Sequence, residues 1–361
     1  RTPDGLYALD GYAAAVRPAG EGAPGGAAGR LLLGRISAEH WFATASHEFF
    51  SRGFDPNDIG FFARPHDHGG YLQVLYRENF AHGWVRRYSA ALNPEYRWNW
   101  DGVRTQARVN LTGSAELTGF WTVSVTLTHE QPAYEDSEFG LTGIYRRPAG
   151  NALTASVQTD PRRDVALLLQ AACAADLRRK REFSALMIWT LRPVPWMELT
   201  PEARVRFVRK GFGGVFHGGG IAASAEYGTP MSLFGETDLE EADLALGGIL
   251  TFSRSLSIQF TAQALAVRAR YGEFALLEGD RRFRRPAALP GMYDFNYAAF
   301  NANVLLRWEY LPGSTLYCVW TQERTGDTGS YAPSLPRRIG EIAALPREDI
   351  LLVKLSYWFG L

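Results

Sequence analysis

The sequence predicts an all-β protein, and more narrowly a transmembrane antiparallel up-and-down β-barrel with about 14–16 strands. Three observations support this prediction. Apolar and polar residues alternate with a period of two along much of the chain, the second face of each predicted strand is polar, and the same alternation reaches the end of the chain. Successive side chains of a strand point to opposite faces, so this period indicates strands with two different faces.

The alternation is clearest in residues 121–128, which read Trp-Thr-Val-Ser-Val-Thr-Leu-Thr. Here the apolar residues share one face and the hydroxyl residues share the other. The same pattern recurs in residues 103–111, 197–207, 256–263 and 300–309. Turn signals separate such runs, among them Asn93-Pro94, Thr118-Gly119, Asp160-Pro161 and Pro312-Gly313.

The length of the runs favours a membrane barrel over a soluble one. Many runs approach the ~10 residues that a tilted membrane strand needs. An apolar face for lipid and a polar face for the lumen are typical of an outer-membrane barrel. The alternative is a soluble barrel or sandwich with one hydrated face.

The polar face supplies the candidate lumen-lining residues. They are charged residues at alternating positions, and a polar barrel interior tunes solute selectivity. Pairing with Glu198, Glu202 or Glu309 would instead make the arginines structural bridges. The candidates are Arg104, Arg108, Arg204, Arg206, Arg307 and Glu309.

The last segment predicts the strand that closes the barrel. Its apolar positions alternate with Lys354, Ser356, Trp358 and Gly360 up to the final residue. A membrane barrel must pair its last strand, because lipid cannot satisfy an open edge. The predicted closing strand contains Val353, Leu355, Tyr357, Phe359 and Leu361.

Composition excludes several other classes. The 361 residues carry 38 basic and 38 acidic side chains, and this balance argues against a general nucleic-acid binder. No run approaches the roughly 18 apolar residues of a membrane helix. Cys173 and Cys318 carry no metal or redox spacing, and both are expected on strands. The chain begins at Arg1 without a signal peptide, so a mature or truncated chain is expected.

Other constellations have a functional and a structural interpretation. Asp55 and Asp58 are spaced for acid–base work or calcium binding, but with Pro56 and Asn57 they also describe a turn. His66-Asp67-His68 has a zinc-like spacing but lacks a third ligand, so solvated histidines are favoured. The sequence contains no catalytic motif, and no metal or cofactor is expected.

Three segments together resemble a known family. They are residues 53–62, beginning Gly53-Phe54-Asp55-Pro56, residues 307–322, beginning Arg307-Trp308-Glu309-Tyr310, and residues 352–358. In this order and spacing they resemble the C-terminal barrel of the domain-of-unknown-function family 5916, from about Tyr7 to the end. The first segment makes Asp55, Pro56, Asn57 and Asp58 a candidate family loop motif.

The resemblance implies a Gram-negative outer-membrane β-barrel without established catalytic residues. Members of the family commonly carry an N-terminal carbohydrate-binding-like β-sandwich and further upstream barrel strands. Neither is recognised in this sequence, so a truncated or split member is expected. Its barrel is then incomplete, part of a larger barrel, or completed by a second chain.

The functional hypothesis is one outer-membrane barrel domain over residues 1–361, acting as a channel or a membrane platform. Its expected partners are outer-membrane lipid and lipopolysaccharide, with a glycan or a periplasmic protein as further partners. One alternative is a surface module that binds glycans through loop residues such as Trp98 and Trp100. The other is an outer-membrane hydrolase that uses Asp55 and Asp58.

Overall fold

The computed structural model describes residues 1–17, 25–54, 66–137, 141–217, 220–224, 231–279, 281–286 and 293–359. Antiparallel strands dominate it. In chain order they are β1 (Tyr7–Val16), β2 (Gly26–Arg35), β3 (Trp41–Phe50), β4 (Asp67–Glu78), β5 (Val85–Asn99), β6 (Arg104–Leu117), β7 (Thr122–Glu130), β8 (Ala133–Glu135), β9 (Tyr145–Arg147), β10 (Gly150–Gln158) and β11 (Val165–Asp176).

The chain continues with the longest strands and a single helical segment. These elements are β12 (Arg181–Val194), β13 (Met197–Gly214), β14 (Phe216–His217), β15 (Gly220–Ile221), β16 (Ala223–Ser224), β17 (Met231–Thr251), β18 (Leu256–Glu278), β19 (Arg282–Arg284), β20 (Phe295–Leu311), β21 (Ser314–Asp327), α1 (Leu335–Glu341), the 3-10 helix Ile342–Ala344 and β22 (Arg347–Ser356). No helix among the described residues has the length and apolar character needed to cross a membrane.

One 18-stranded antiparallel sheet contains most of these strands. β16 and β19 are short additions to β17 and β18. The other sixteen strands form a meander in which each pairs with the next, in the order β1 to β7, β10 to β13, β17, β18, β20, β21 and β22. The all-β, up-and-down antiparallel prediction is therefore confirmed.

The two ends of the meander are open. Over the described residues, no pairing joins β1 to β22. All ten residues of β22 are exposed, and β1 is exposed at eight of its ten positions. Val353 and Leu355 lie in β22 as predicted, but the strand ends at Ser356 and not at the last residue. Tyr357 and Phe359 lie beyond it with their ring centroids 4.7 Å apart, and Leu361 is outside the described residues. Closure of the barrel remains a prediction.

The predicted Asn93-Pro94 turn is wrong, because both residues lie inside β5. Proline has no backbone N–H for the ladder, so within a sheet it needs an edge or an irregularity. The pairing of β5 with β4 has such a gap between Glu95 and Leu92, opposite Tyr71 and Val74. The strand thus continues through Pro94, and the turn comes after Asn99.

The connections differ strongly between the two ends of the strands. At one end, here called the short-turn end, the meander strands are joined by two to six residues. At the other end, the long-connection end, the links include residues 131–149 and 328–346. Because β1 runs from the short-turn end and β22 runs back to it, both edge strands have their outer termini there.

Small apolar cores lie at the long-connection end. Phe234 and Leu277 pack with Tyr145 from the link between β7 and β10. Leu233 and Leu276 pack with Val215 from the link after β13. The extended ends of β17 and β18 thus anchor two of the long connections.

Candidate functional site

The register of the meander sorts side chains into two continuous faces. Residues opposite one another in an antiparallel pair lie on the same side of the sheet. One row of such partners on the apolar face is Leu111, Leu127, Leu153, Cys173, Phe183 and Phe207. The adjacent row on the polar face is Thr112, Thr126, Thr154, Ala172, Ser184 and Arg206.

The polar face is held together by bonds between neighbouring strands. Thr112 and Thr126 are joined Oγ1 to Oγ1 at 3.0 Å, and Ser124 and Ser156 Oγ to Oγ at 2.7 Å. Thr128 Oγ1 donates to Asn110 Oδ1 at 2.8 Å. These hydroxyl and amide side chains are half-buried, so each bond compensates the partial loss of water.

Five of the six predicted lumen residues lie on the polar face, and each is ion-paired. The Arg108–Glu95 N–O distance is 2.6 Å, that of Arg204–Glu202 is 2.9 Å, that of Arg206–Glu182 is 2.8 Å and that of Arg307–Glu309 is 3.1 Å. The sixth, Arg104, is the first residue of β6 and is separated from the rest of the strand's register by a bulge; its Nη2 donates to Pro132 O at 2.7 Å. The ion pairs fit the structural-bridge interpretation.

The apolar face is exposed where the polar face is half-buried. Along β7, Val125 and Leu127 are exposed, whereas Ser124 and Thr126, which alternate with them, are half-buried. Leu127 keeps 50% of its accessible surface and Leu153 keeps 44%. On a curved sheet, side chains spread apart on the convex side and converge on the concave side. The exposure pattern of β7, β10 and β11 therefore makes the apolar face convex.

The pattern changes in β18 and β20. Gln263, Asn301 and Asn303 on the polar face are exposed, whereas Ala302 on the apolar face is 8% exposed. Ala262, Ala264 and Ala302 stand next to one another on the apolar face here, and larger neighbours such as Phe260 and Phe300 flank them. The two faces persist, but their difference in exposure does not.

Aromatic residues mark both ends of the apolar face. At the short-turn end they are Tyr7, Trp41, Tyr76, Tyr88 and Trp308, and Trp121 stands just before β7. At the long-connection end Trp100 packs edge-on against Phe49, and its ring centroid lies 4.7 Å from that of His68. Trp98 stacks on Tyr96 at 6.1 Å. Between these two belts the apolar face carries mainly aliphatic residues, with Phe183 and Phe207 among the exceptions.

The link from β7 to β10 crosses the long-connection end. Asn99 Nδ2 donates to Asp136 Oδ2 at 2.7 Å, beside the start of β6. Thr142 N donates to Ser232 Oγ at 2.7 Å, at the start of β17. Five strands of the meander separate β6 from β17. The link therefore bridges distant parts of the sheet at this end.

The remaining sequence candidates fall in different places. The loop motif Asp55, Pro56, Asn57 and Asp58 lies outside the described residues. His66 and His68 do not converge, since His66 Nε2 bonds Asp101 Oδ2 at 2.8 Å while His68 stacks on Trp98. Across the described part of the chain, no group of three or more potential ligands is placed to hold a metal ion.

Trp98 is a strand residue and not the loop residue that the glycan hypothesis used. Trp100 is 46% exposed, but its Nε1 donates to Phe50 O at 2.8 Å. The two cysteines are free and lie on β11 and β21, as expected.

Two features were missed by sequence reasoning. One is the buried Asp67, which accepts from Arg97 Nε at 2.6 Å, with Glu48 on the same guanidinium at 2.7 Å. No sequence signal joins these three strands. The other is α1, which Ser334 precedes and in which Pro336 stands in the first turn. Serine before a helix and proline in its first turn are a recognised start signal.

A comparison with curated proteins finds no match. A family model described as a domain of unknown function, DUF5916, matches residues 7–360. That match covers nearly the whole meander, from the first residue of β1 to beyond the end of β22. The chain belongs to the DUF5916 family.

Proposed function

We propose that the chain forms the wall of an outer-membrane β-barrel whose polar face lines a path for polar solutes. The observation that carries the proposal is the distribution of exposure over β6 to β11. Aliphatic side chains such as Leu111 and Leu153 face outward without partners, while hydroxyl and amide side chains bond one another on the concave side. A water-soluble protein buries the first kind and hydrates the second. A barrel in lipid instead turns the first kind outward to the hydrocarbon and keeps the second kind inside.

The dimensions support a membrane location. From Tyr88 to Trp98 strand β5 advances by ten residues, which is ~33 Å along the strand. At a tilt of ~40° this rise spans ~25 Å, the height of the apolar band of outer-membrane barrels. The aromatic residues at both levels then lie where the hydrocarbon meets the headgroups.

The asymmetric ends support an orientation. Outer-membrane barrels have short periplasmic turns and longer external loops. In this proposal the short-turn end faces the periplasm, and the long-connection end faces the outside. The link from β7 to β10 then narrows the outer mouth of the path, since it joins Asn99 to Ser232 across that end.

The open edges support completion by further strands. An edge in lipid leaves backbone N–H and C=O groups without partners, which costs several kcal/mol per group. β1 and β22 run in opposite directions, so only an even number of inserted strands keeps every pair antiparallel. We assign these strands to a second chain or to further strands of the same barrel. We therefore expect the backbone amide hydrogens of β22 to exchange slowly in native membranes, where further strands pair with this edge. In the isolated chain we expect them to exchange fast.

The cheapest test of the membrane proposal is detergent extraction followed by gel electrophoresis with and without heating. A membrane barrel partitions with the outer membrane and migrates differently before and after heating. Recovery of the chain in the soluble fraction, without detergent, overturns the proposal.

A further inference from the structure

Residues 328–346, here called the strap, connect β21 to β22 and fold back onto the apolar face. Leu335 of α1 is buried with Ala242 and Ala266, and Ile339 packs against the same cluster. Ala242 is the register partner of both Val205 and Ala266, and these three residues belong to the apolar face. The strap therefore covers part of the face that is exposed on β7, β10 and β11.

The strap lies where the apolar face becomes charged. On its short-turn side Leu244 and Leu246 are exposed on β17. On the side towards the long connections the same face of β17 and β18 carries Asp238, Glu240, Arg268 and Arg270. Hydrocarbon strongly disfavours such charges, so the apolar part of the face must end at this level in a membrane.

The strap binds the charged side of this boundary. Glu240 accepts from Arg209 Nη2 at 2.6 Å and from Arg268 Nε at 2.8 Å. Tyr331 of the strap donates its hydroxyl to the same carboxylate at 3.1 Å, and the Arg268 guanidinium lies 4.2 Å from its ring centroid. Asn296 Nδ2 donates to Pro333 O at 2.6 Å. These contacts fix the height of the strap on the sheet.

The outward side of the strap carries small residues and one exposed cation, and a second exposed cation follows it at the start of β22. The side chain of Arg337 is 75% exposed and that of Arg347, just past the strap, is 64% exposed. Each has one acidic neighbour, Glu341 at 3.0 Å and Asp349 at 3.3 Å. A guanidinium has five N–H donors, so both retain donors for another anion. Arg338, by contrast, is buried and donates to Gly326 O.

We propose that the strap lies in the headgroup layer of the outer leaflet and that Arg337 and Arg347 bind lipid phosphate groups. The proposal rests on the membrane location proposed above. It commits to a bilayer surface because the exposed aliphatic band continues directly beneath the strap and the fixed charges begin directly above it. Arginine side chains at this level place their charge among phosphates and their stems along apolar surface.

The test measures depth with a fluorophore attached to one cysteine, after Cys173→Ala and Cys318→Ala. One label is placed on the strap through Ala344→Cys and another at mid-height on the apolar face through Ala171→Cys; both positions are exposed. The protein is reconstituted in phosphatidylcholine–phosphatidylglycerol vesicles with a quencher on the headgroup, at mid-chain, or as aqueous iodide. We expect the headgroup quencher to act most strongly at 344 and the mid-chain quencher at 171.

The arginines are tested with Arg337→Gln plus Arg347→Gln in the Ala344→Cys background. Loss of two contacts to anionic headgroups lowers headgroup quenching at 344 by about two-fold and raises iodide quenching. Arg204→Gln, which removes one charge from the polar face, leaves both unchanged.

The outcomes separate the two proposals. Two outcomes overturn the strap proposal alone, both with the mid-chain quencher acting at 171. In the first, the label at 344 is quenched only by iodide. In the second, the label at 344 is also quenched by the mid-chain quencher. An unchanged depth at 344 in the double variant overturns the role of the arginines. Absence of lipid quenching at 171 overturns the membrane location itself.

Discussion

The polar and apolar faces share one backbone but differ in how their side chains are stabilised. On the polar face, Thr126, Ser124 and Arg206 each form a side-chain hydrogen bond with a residue on a neighbouring strand. On the apolar face, Leu127, Leu153 and Phe183 are exposed neighbours with no such bonds. The polar face is therefore organised by the chain itself. The apolar face depends on what surrounds the chain, which we propose is lipid.

The largest expected effect comes from placing a charge on the apolar face. Leu153→Arg should lower the free energy of unfolding in vesicles by ~2–4 kcal/mol, because the charge enters hydrocarbon near mid-height. Thr154→Arg is the matched control, since Thr154 is the next residue and points to the polar face. We expect it to cost under about 1 kcal/mol. Guanidinium unfolding in lipid vesicles measures both. Equal costs at the two positions would contradict the assignment of faces.

A smaller effect comes from breaking a shared ion pair on the polar face. Glu182 accepts from both Lys180 and Arg206, at 2.6 and 2.8 Å. Glu182→Gln should cost about 1 kcal/mol or less, because the pairs are partly exposed to water. It also leaves Lys180 without its ion pair and Arg206 with only the more distant Glu241, at 3.9 Å, so anion preference in planar-bilayer conductance should rise. Glu202→Gln, which frees Arg204 alone, should produce a weaker shift. If neither variant changes the anion selectivity, the polar face does not line the solute path.

The smallest effect concerns a turn at the short-turn end, outside both faces. Bonds from the Arg162 side chain and backbone hold the pKa of Asp160 down to about 2, from 3.8 in an unperturbed chain. The ionised carboxylate therefore stabilises the turn fully above pH 3.8, and that contribution disappears as the pH falls through about 2.

A carbon-13 titration of the Asp160 carboxyl group should show this low midpoint, and Arg162→Gln should move it up towards 3.8. A midpoint near 3.8 in the unchanged chain would show that the turn does not form as described.

The alternation of residue types was enough to predict the strands and the two faces. A period of two needs only local sequence, and the polar positions of residues 197–207 and 300–309 fell on one face as predicted. Pro94 misled the turn prediction because its cost depends on the neighbouring strand. The irregular pairing around Tyr71 and Val74, which tolerates it, cannot be read from β5 alone.

The packing of the strap, and the identity of the strand that pairs with the outer edge of β22, were beyond sequence reasoning for a different reason. Nothing in the sequence around Leu335 and Ile339 indicates that these residues pack on Ala242 and Ala266. The alternation in Val353 and Leu355 predicts a strand with two faces, but it carries no information on which strand pairs with its outer edge. Both features depend on contacts between residues far apart in the sequence.

Two adjacent alanines in β11 test most directly whether the apolar face contacts lipid and the polar face contacts water. Ala171 lies on the apolar face between Ala155 and Ala185, and Ala172 lies on the polar face between Thr154 and Ser184. Spin labels on Ala171→Cys and Ala172→Cys, in a background without the native cysteines, can be compared in vesicles by their accessibility to oxygen and to an aqueous nickel complex. The account predicts that oxygen dominates at 171 and nickel at 172. Nickel accessibility at 171 equal to that at 172 would contradict it.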